Sequence, residues 1–451
     1  MKVLIIGAGK LGYKLASSLA LADDADITIV DKRPEVLEHI SDHLDVMTVH
    51  ANGIHVSSLK ELDVPSYDLA VACSGNDEVN IICGTLLKRM GCDNVVVRMR
   101  NMEYVEHRSF IQDLMDIDLA VNPELSTAKQ ISGYLMKNYS FHTNNFALGR
   151  VSLVDVLAKR IPKWVGRPLK DIEGLREFVL VGIGRGGDLI IPDGNTVIEE
   201  NDVLYIMGRT DRLDQISGSM GRAIEGTLKN VMIVGGGRVG YHLAKRLSLK
   251  GIRIKLIERD PQQCAFLAEN LGSNVLVLNA DGSDNKVLME EEIFSMDAFV
   301  GATGYDEENL LMCLGAKQMN VPKVVAKVSR NNYTDIIESL GVDAIFSTID
   351  ITASEILKYV RGGKILSVSL LLGGKAEVNE YIADAGMPIV GRPLSEVNIP
   401  KGNVVGAMLS GNNEVIIPNG NTVIQPGDRF VVFSMTNTLP KFRKCVEIDR
   451  Q

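Results

Sequence analysis

Two hexapeptides limit what this chain can become: GAGKLG (Gly7 to Gly12) and, 228 positions further on, GGGRVG (Gly235 to Gly240). Each follows an apolar run, KVLII and NVMIV. An apolar run that ends in GxGxxG reads as a buried strand turning through a glycine loop into a helix. That arrangement points backbone N–H groups and the positive helix end at a phosphate. A single such loop is weak evidence; two, each in strand–loop–helix context, demand a duplicated framework.

Sliding the sequence on itself by about 225 to 229 positions extends the match well beyond the loops. ITIVDK (Ile27 to Lys32) aligns with IKLIER (Ile254 to Arg259), and HANG (His50 to Gly53) with NADG (Asn279 to Gly282). DLAVACSGNDEVN (Asp68 to Asn80) aligns with DAFVGATGYDEEN (Asp297 to Asn309). Further on, VGRPLKDI and PDGNTVIEENDVLYIMG find their partners in VGRPLSEV and PNGNTVIQPGDRFVVFS. Each unit of roughly 225 residues opens with short β-rich runs alternating with helical stretches, the spacing of βαβ crossovers. It closes with short strands and turn pairs, the pattern of a small β-dominated domain. The expected fold class is α/β: two Rossmann-like, doubly wound parallel-sheet domains at 1–122 and 228–348, each followed by a small β-rich α+β domain, at 140–222 and 367–450. SGSMGRAIEGT (Ser217 to Thr227) reads as the linker between halves. PELSTAKQISGYLMKN (Pro123 to Asn138) and STIDITASEILKYVRG (Ser347 to Gly362) read as crossover helices within their own units.

In the first loop, Gly7 is expected to turn tightly off the strand, Gly9 to let phosphates approach the backbone, and Gly12 to let helix and strand pack. Gly235, Gly237 and Gly240 repeat the pattern. Ala8 and Leu11, like Val239, complete the loops, while Lys10 and Arg238 project outward within reach of a terminal phosphate. An acidic residue closes the second strand of each unit, Asp31 in one and Glu258 in the other. A carboxylate there accepts ribose hydroxyls and repels a 2′-phosphate, which favours NAD(H) or an adenine nucleotide over NADP. Asn52 and Asp281 after the third strand border the adenine; Cys73, Ser74 and Thr303 follow the fourth, with Asn80 and Asn309 entering the next helix. Arg98 and Lys327 bring a cation to the same crevice from the fifth strand. Each of these also reads as ordinary strand-end turn chemistry.

Other functions find little support. The formal charge of -9 and the lack of a basic run argue against nucleic acid as a partner. No window approaches the ~18 apolar residues of a membrane span, so a soluble chain is expected. The six cysteines form no CxxC pair and read as reduced thiols of a cytosolic protein. No P-loop, HExxH or GxSxG is present, and the seven histidines form no repeated pair. A Tyr-x-x-x-Lys spacing (Tyr241, Lys245) sits on the helix after the second loop, but Ser17 replaces the lysine in the first copy. The residues describe binding without proton transfer.

Across nearly its whole length the sequence resembles the RCK/KTN regulatory proteins of potassium transport. The resemblance lies in the opening MKVLIIGAGKLG, the VDK strand end, the NDEVN and DEEN segments, VVRMRN, the β-rich VGRPL to PNGNTVIQPGDRFVVF module, and the order of the four domains (tandem RCK_N–RCK_C). It implies a protein without catalysis that assembles as a homo-oligomeric ring, expected to be a tetramer. That ring would dock on the cytosolic face of a membrane-embedded, TrkH-like potassium channel or transporter subunit. NAD(H) and ATP or ADP are the implied ligands. Gly7 to Gly12 with Asp31, Cys73, Ser74 and Arg98 would line one site, and Gly235 to Gly240 with Glu258, Thr303 and Lys327 the other. The resemblance also implies a divalent cation at Glu124 of the Pro123-Glu124 pair; the second copy has Thr348-Ile349 there. The expected localisation is cytoplasmic, peripheral at the inner membrane face through the partner. Rival readings are an NAD-dependent oxidoreductase and an assembly protein with vestigial nucleotide sites.

Overall fold

The computed structural model describes residues 1–22, 25–136, 143–172, 177–217, 228–329, 342–361, 365–371 and 374–447. Most of the linker at Ser217 to Thr227, and the last residues of both crossover segments, lie outside these.

The apolar runs form strands because both faces of the sheets they join are covered. In the first half, β1 (Lys2–Ile6), β2 (Asp26–Asp31), β3 (Met47–His50), β4 (Leu69–Ala72), β5 (Val95–Arg98) and β6 (Leu119–Val121) make a six-stranded sheet ordered β3-β2-β1-β4-β5-β6, with parallel pairing throughout. A small domain follows, a five-stranded antiparallel sheet of β7 (Thr143–Phe146), β8 (Val151–Leu157), β9 (Phe178–Arg185), β10 (Asp188–Ile190) and β11 (Val203–Arg209). The second half repeats the parallel sheet with β12 (Asn230–Val234), β13 (Arg253–Glu258), β14 (Val275–Asn279), β15 (Ala298–Gly301), β16 (Lys323–Val328) and β17 (Ala344–Ser347), ordered β14-β13-β12-β15-β16-β17. Its own small sheet contains β18 (Ile365–Leu371), β19 (Ala376–Ile382), β20 (Asn403–Leu409), β21 (Val415–Ile416) and β22 (Arg429–Met435). Val3, Leu4 and Ile5 are wholly buried, as are Val231, Met232 and Ile233, which is why these strands read as unbroken apolar runs. The order reverses beside β1 and β12, and each glycine loop leaves the sheet at that switch point.

The two small sheets share a core. In β11, Leu204 and Ile206 face a cluster of the first small sheet's own residues, while Tyr205 and Met207 join Val378, Val431 and Phe433 of the second. Alternate side chains of one strand thus serve two cores. The sheets approach closely at Gly406, where a Cβ would lie 2.5 Å from the Met207 sulfur.

The compact units do not follow the linear domain boundaries. One contains Met1–Pro123 with Ile349–Val368 and Thr436–Lys444; the other contains Glu124–Thr348, Ser369–Met435 and Cys445–Gln451. Within the first unit, Lys14 pairs with Asp350 at 3.2 Å and the Tyr359 hydroxyl donates to Asn94 at 3.2 Å. Within the second, the Tyr134 ring meets Phe346 edge-on at 5.8 Å and Lys323 Nζ donates to the Leu135 carbonyl at 3.1 Å. Each half lends its crossover helix, Pro123–Leu135 or Thr348–Arg361, to the sheet of the other half, where sequence reading kept each helix in its own unit.

Candidate functional site: two glycine-loop crevices

The three glycines of each loop do different work. Gly7 has φ +110° and Gly235 φ +105°, backbone that disfavours any side chain. A Cβ on Gly7 would also lie 2.8 Å from the Ser74 amide nitrogen, and on Gly235 2.7 Å from that of Thr303. Gly12 and Gly240 abut the carbonyl that opens their loop: a Cβ would fall 2.0 Å from Gly7 O and 1.9 Å from Gly235 O. Gly9 and Gly237 have no atom within 4 Å of a would-be Cβ, so they border open space at the start of the helices Lys10–Ala22 and Arg238–Ser248. The first N–H groups of those helices have no intrahelical acceptor and are the natural cradle for an anion.

The acids at the ends of β2 and β13 close the cradle from the side. Asp31 Oδ2 accepts the Ala8 N–H at 2.8 Å, and Glu258 Oε2 accepts the Gly236 N–H at 2.7 Å. Their remaining bonds differ. Asp31 also accepts from the Arg33 backbone at 3.0 Å and from its guanidinium, Nε at 3.1 Å and Nη2 at 3.2 Å. Burial pushes the Asp31 carboxyl up, but the Arg33 and Ala8 hydrogen bonds outweigh it and hold the group below its ordinary value. Glu258 Oε1 accepts the Asp260 N–H at 2.9 Å instead. The neighbouring Arg259 lies 5.6 Å over the Tyr305 ring.

Asn80 and Asn309 organise the far wall. Asn80 Oδ1 accepts the Ser74 N–H and hydroxyl, both at 2.7 Å, and Nδ2 donates to the carbonyls of Ser74 and Arg98 at 3.2 and 3.0 Å. Asn309 makes the same four bonds to Thr303 and Lys327. Both amides are spent inside the protein, so they position the loops after β4 and β15. The cations do likewise: Arg98 donates to the Ser74 carbonyl, and Lys327 Nζ to that of Thr303 at 3.1 Å. Sequence reading missed Asp77, whose Oδ2 accepts the Arg100 and Asn101 N–H groups at 2.6 Å, and its counterpart Asp306, which accepts from Ser329 at 2.8 Å. An acid in a helix's first turn is ordinary dipole chemistry, and nothing local in the sequence tells that it reaches a loop 23 residues on.

The other expected residues fall as follows. Lys10 and Arg238 are exposed, whereas Leu11 and Val239 are buried and can offer a ligand only backbone. The Cys73 thiol is pushed up to about 11 by burial and sits 3.5 Å from the Gly7 carbonyl, behind the loop. Asn52 accepts from Ile54 at 3.3 Å and contacts His55; Asp281 accepts both N–H and hydroxyl of Ser283. The second crevice is a cleft whose wall includes Gly237, Glu258, Arg259, Asp281, Thr303 and Tyr305. Tyr241 and Lys245 touch, at 3.3 Å, but Tyr241 is buried against Phe266, away from the residues that line the cleft. Glu124 is buried in the first turn of its helix. Among the described residues no group of three or more His, Cys, Asp or Glu side chains converges to hold a metal ion, and no helix is long and apolar enough to cross a membrane.

Comparison with known proteins follows the same fourfold division. The TrkA-N domain model matches residues 3–123 and 231–348, and the TrkA-C domain model matches 157–221 and 378–444. The chain belongs to the TrkA family. Its TrkA relatives include the Trk system potassium uptake protein TrkA homolog 1 of Methanosarcina mazei, 33% identical over 452 residues, covering 98% of this chain and 99% of the relative. The TrkA protein of Haemophilus influenzae is 32% identical over 457 residues, covering 99% of both. Among solved structures, the GsuK channel bound to NAD aligns with a TM-score of 0.57 at 16% identity, over 98% of this chain and 78% of that one. GsuK bound to ADP aligns with a TM-score of 0.51 at 12% identity, over 80% and 69%. These neighbours show that the chain shares the tandem RCK fold.

Proposed function

We propose that this chain is the nucleotide-sensing regulatory subunit of a Trk-type potassium-uptake system, not an enzyme. A membrane-embedded TrkH-like subunit is the proposed partner, with a homo-oligomeric ring of this chain, a tetramer by the family resemblance, docked peripherally on its cytoplasmic face. Membership of the TrkA family supports the potassium-uptake role. The observation that carries the nucleotide reading is the division of labour among the loop glycines: two are sterically required by the fold, while Gly9 and Gly237 leave space at a helix N-terminus. NAD(H) and ATP or ADP are the proposed ligands, and the exposed Lys10 and Arg238 are the proposed partners of a terminal phosphate.

The physical mechanism is linkage. A ligand shifts a conformational equilibrium only by its differential affinity for the two states, and a tenfold difference supplies ~1.4 kcal/mol per site. Two crevices per chain, repeated around a ring, add such increments until they bias a gate. The test reconstitutes the chain with its membrane subunit in vesicles and follows potassium flux while NADH, ATP or ADP is added. Flux that responds to nucleotide with wild type, and not with Gly9→Ala plus Gly237→Ala, supports the reading; flux blind to nucleotide removes it. For the proposed divalent cation, equilibrium dialysis with Mn²⁺ on wild type against Glu124→Gln decides whether that carboxylate is a ligand.

A further inference from the structure

The two crevices differ in what meets the strand-end acid, where the adenosine ribose would lie: a guanidinium lies along Asp31, and backbone N–H groups alone meet the Glu258 carboxylate among the described residues. Two positions beyond the strand-end acid, the first copy has Arg33 and the second has Asp260. The Arg33 guanidinium lies along the Asp31 carboxylate, yet about half of its side chain remains exposed (49%). Asp260 instead caps the next helix, accepting the Gln262 N–H at 2.9 Å. Among the described residues the Glu258 carboxylate accepts from backbone N–H groups alone, and the adjacent guanidinium, Arg259, lies over the Tyr305 ring.

A ribose diol entering the first crevice must compete with Arg33 for Asp31, which still keeps its bond from Ala8. A 2′-phosphate gives that guanidinium a better acceptor, since a phosphate offers a bidentate, doubly charged partner. In the second crevice the same phosphate meets the Glu258 carboxylate in the cleft wall, where Arg259 lies over the Tyr305 ring and not along the acid.

We propose that Arg33 makes the first crevice tolerant of a 2′-phosphorylated adenosine ribose, as in NADPH, while Glu258, with no guanidinium along its carboxylate, restricts the second to the free diol. This departs, for the first half, from the sequence expectation that Asp31 repels a 2′-phosphate. It rests on the nucleotide-binding reading above and names a ligand difference that reading does not contain. One chain then reports on two nucleotide pools, with the non-phosphorylated ligand shared between sites and the phosphorylated one confined to one of them.

Calorimetric titration of the full chain with NADH and with NADPH tests the assignment, using wild type, Arg33→Lys, Arg33→Ala and Arg33→Asp. Arg33 is half-exposed, so these variants should fold; thermal melts confirm it. NADPH is expected to saturate at about half the stoichiometry of NADH. Arg33→Ala should weaken NADPH at least tenfold while changing NADH less than threefold or tightening it. Arg33→Lys should recover part of the loss, and Arg33→Asp should abolish NADPH binding. NADH binding without NADPH binding in wild type overturns this proposal alone. So does an equal loss of both ligands in Arg33→Ala, because Arg33 would then merely brace Asp31. Failure of NADH itself to bind overturns the nucleotide reading and this proposal together.

Discussion

Gly9 and Gly12 are the same residue three positions apart, and the structure assigns them opposite consequences. A methyl group on Gly9 meets nothing, whereas one on Gly12 would overlap the Gly7 carbonyl. Gly9→Ala is therefore expected to shift stability by less than ~0.5 kcal/mol while weakening nucleotide binding about tenfold. Gly12→Ala is expected to cost ~1–3 kcal/mol or more through forced displacement of loop or helix. Thermal melts beside nucleotide titrations separate the two; a large Gly9→Ala melt shift would remove Gly9 from the role of open cradle. Asp31→Ala should weaken ribose binding by ~1–3 kcal/mol, the scale of hydrogen bonds to a charged acceptor. Because the folded Asp31 carboxyl is held below its ordinary value, its contribution to stability is present above the unfolded pKa of ~3.9 and fades as pH falls through the lowered folded value. Acid titrations of wild type and Asp31→Asn should therefore diverge near neutral pH and converge at strongly acid pH.

At the scale of elements, the loop after β4 depends on one amide. Asn80 is almost wholly buried and satisfies both Ser74 and the end of β5. Asn80→Ala would leave the Ser74 N–H and Arg98 carbonyl short of partners, at an expected cost of ~1–3 kcal/mol. Chemical denaturation should show that loss, and nucleotide affinity should fall with it because the crevice wall loosens. Unchanged stability would mean that water replaces the amide without cost. Buried thiols lie behind the same walls: burial holds Cys73 at about 11 and Cys83 and Cys313 at about 12. These raised values stabilise the fold fully below the unfolded thiol pKa of ~8.5, and the contribution is lost as pH rises through 11 to 12. At pH ~8, alkylation should be confined to the partly exposed Cys264 and Cys445 until the protein is unfolded.

At the scale of the molecule, the halves are not separable. The unit built on the first sheet includes Ile349–Val368 and Thr436–Lys444, and Leu439 and Phe442 of the latter are fully buried. A fragment ending at Ser217 would lack both segments and expose the surfaces around Lys14 and Asn94 that they cover. It is expected to melt well below the full chain, or to associate with a second copy that supplies the missing helix. Light scattering and thermal unfolding of that fragment decide the matter, and a stable monomer would show the exchanged helix to be dispensable. The shared core of the small sheets points the same way, since Tyr205 and Met207 would face water without the second half.

The sequence by itself determined the duplication, the doubly wound sheets, the glycine loops and the acid at the end of each second strand. All of these are local signals: a period of burial, a glycine where backbone must turn, a carboxylate at fixed spacing. It could not show that Asn80 and Asn309 spend their amides on the protein, that Arg33 lies along Asp31, or that each crossover helix serves the other half's sheet. Those facts depend on which surfaces meet in space. Two halves built on the same pattern of apolar strands and helices offer similar apolar faces, so the helix pattern fits its own sheet or its twin. Only packing of the complete chain breaks that tie.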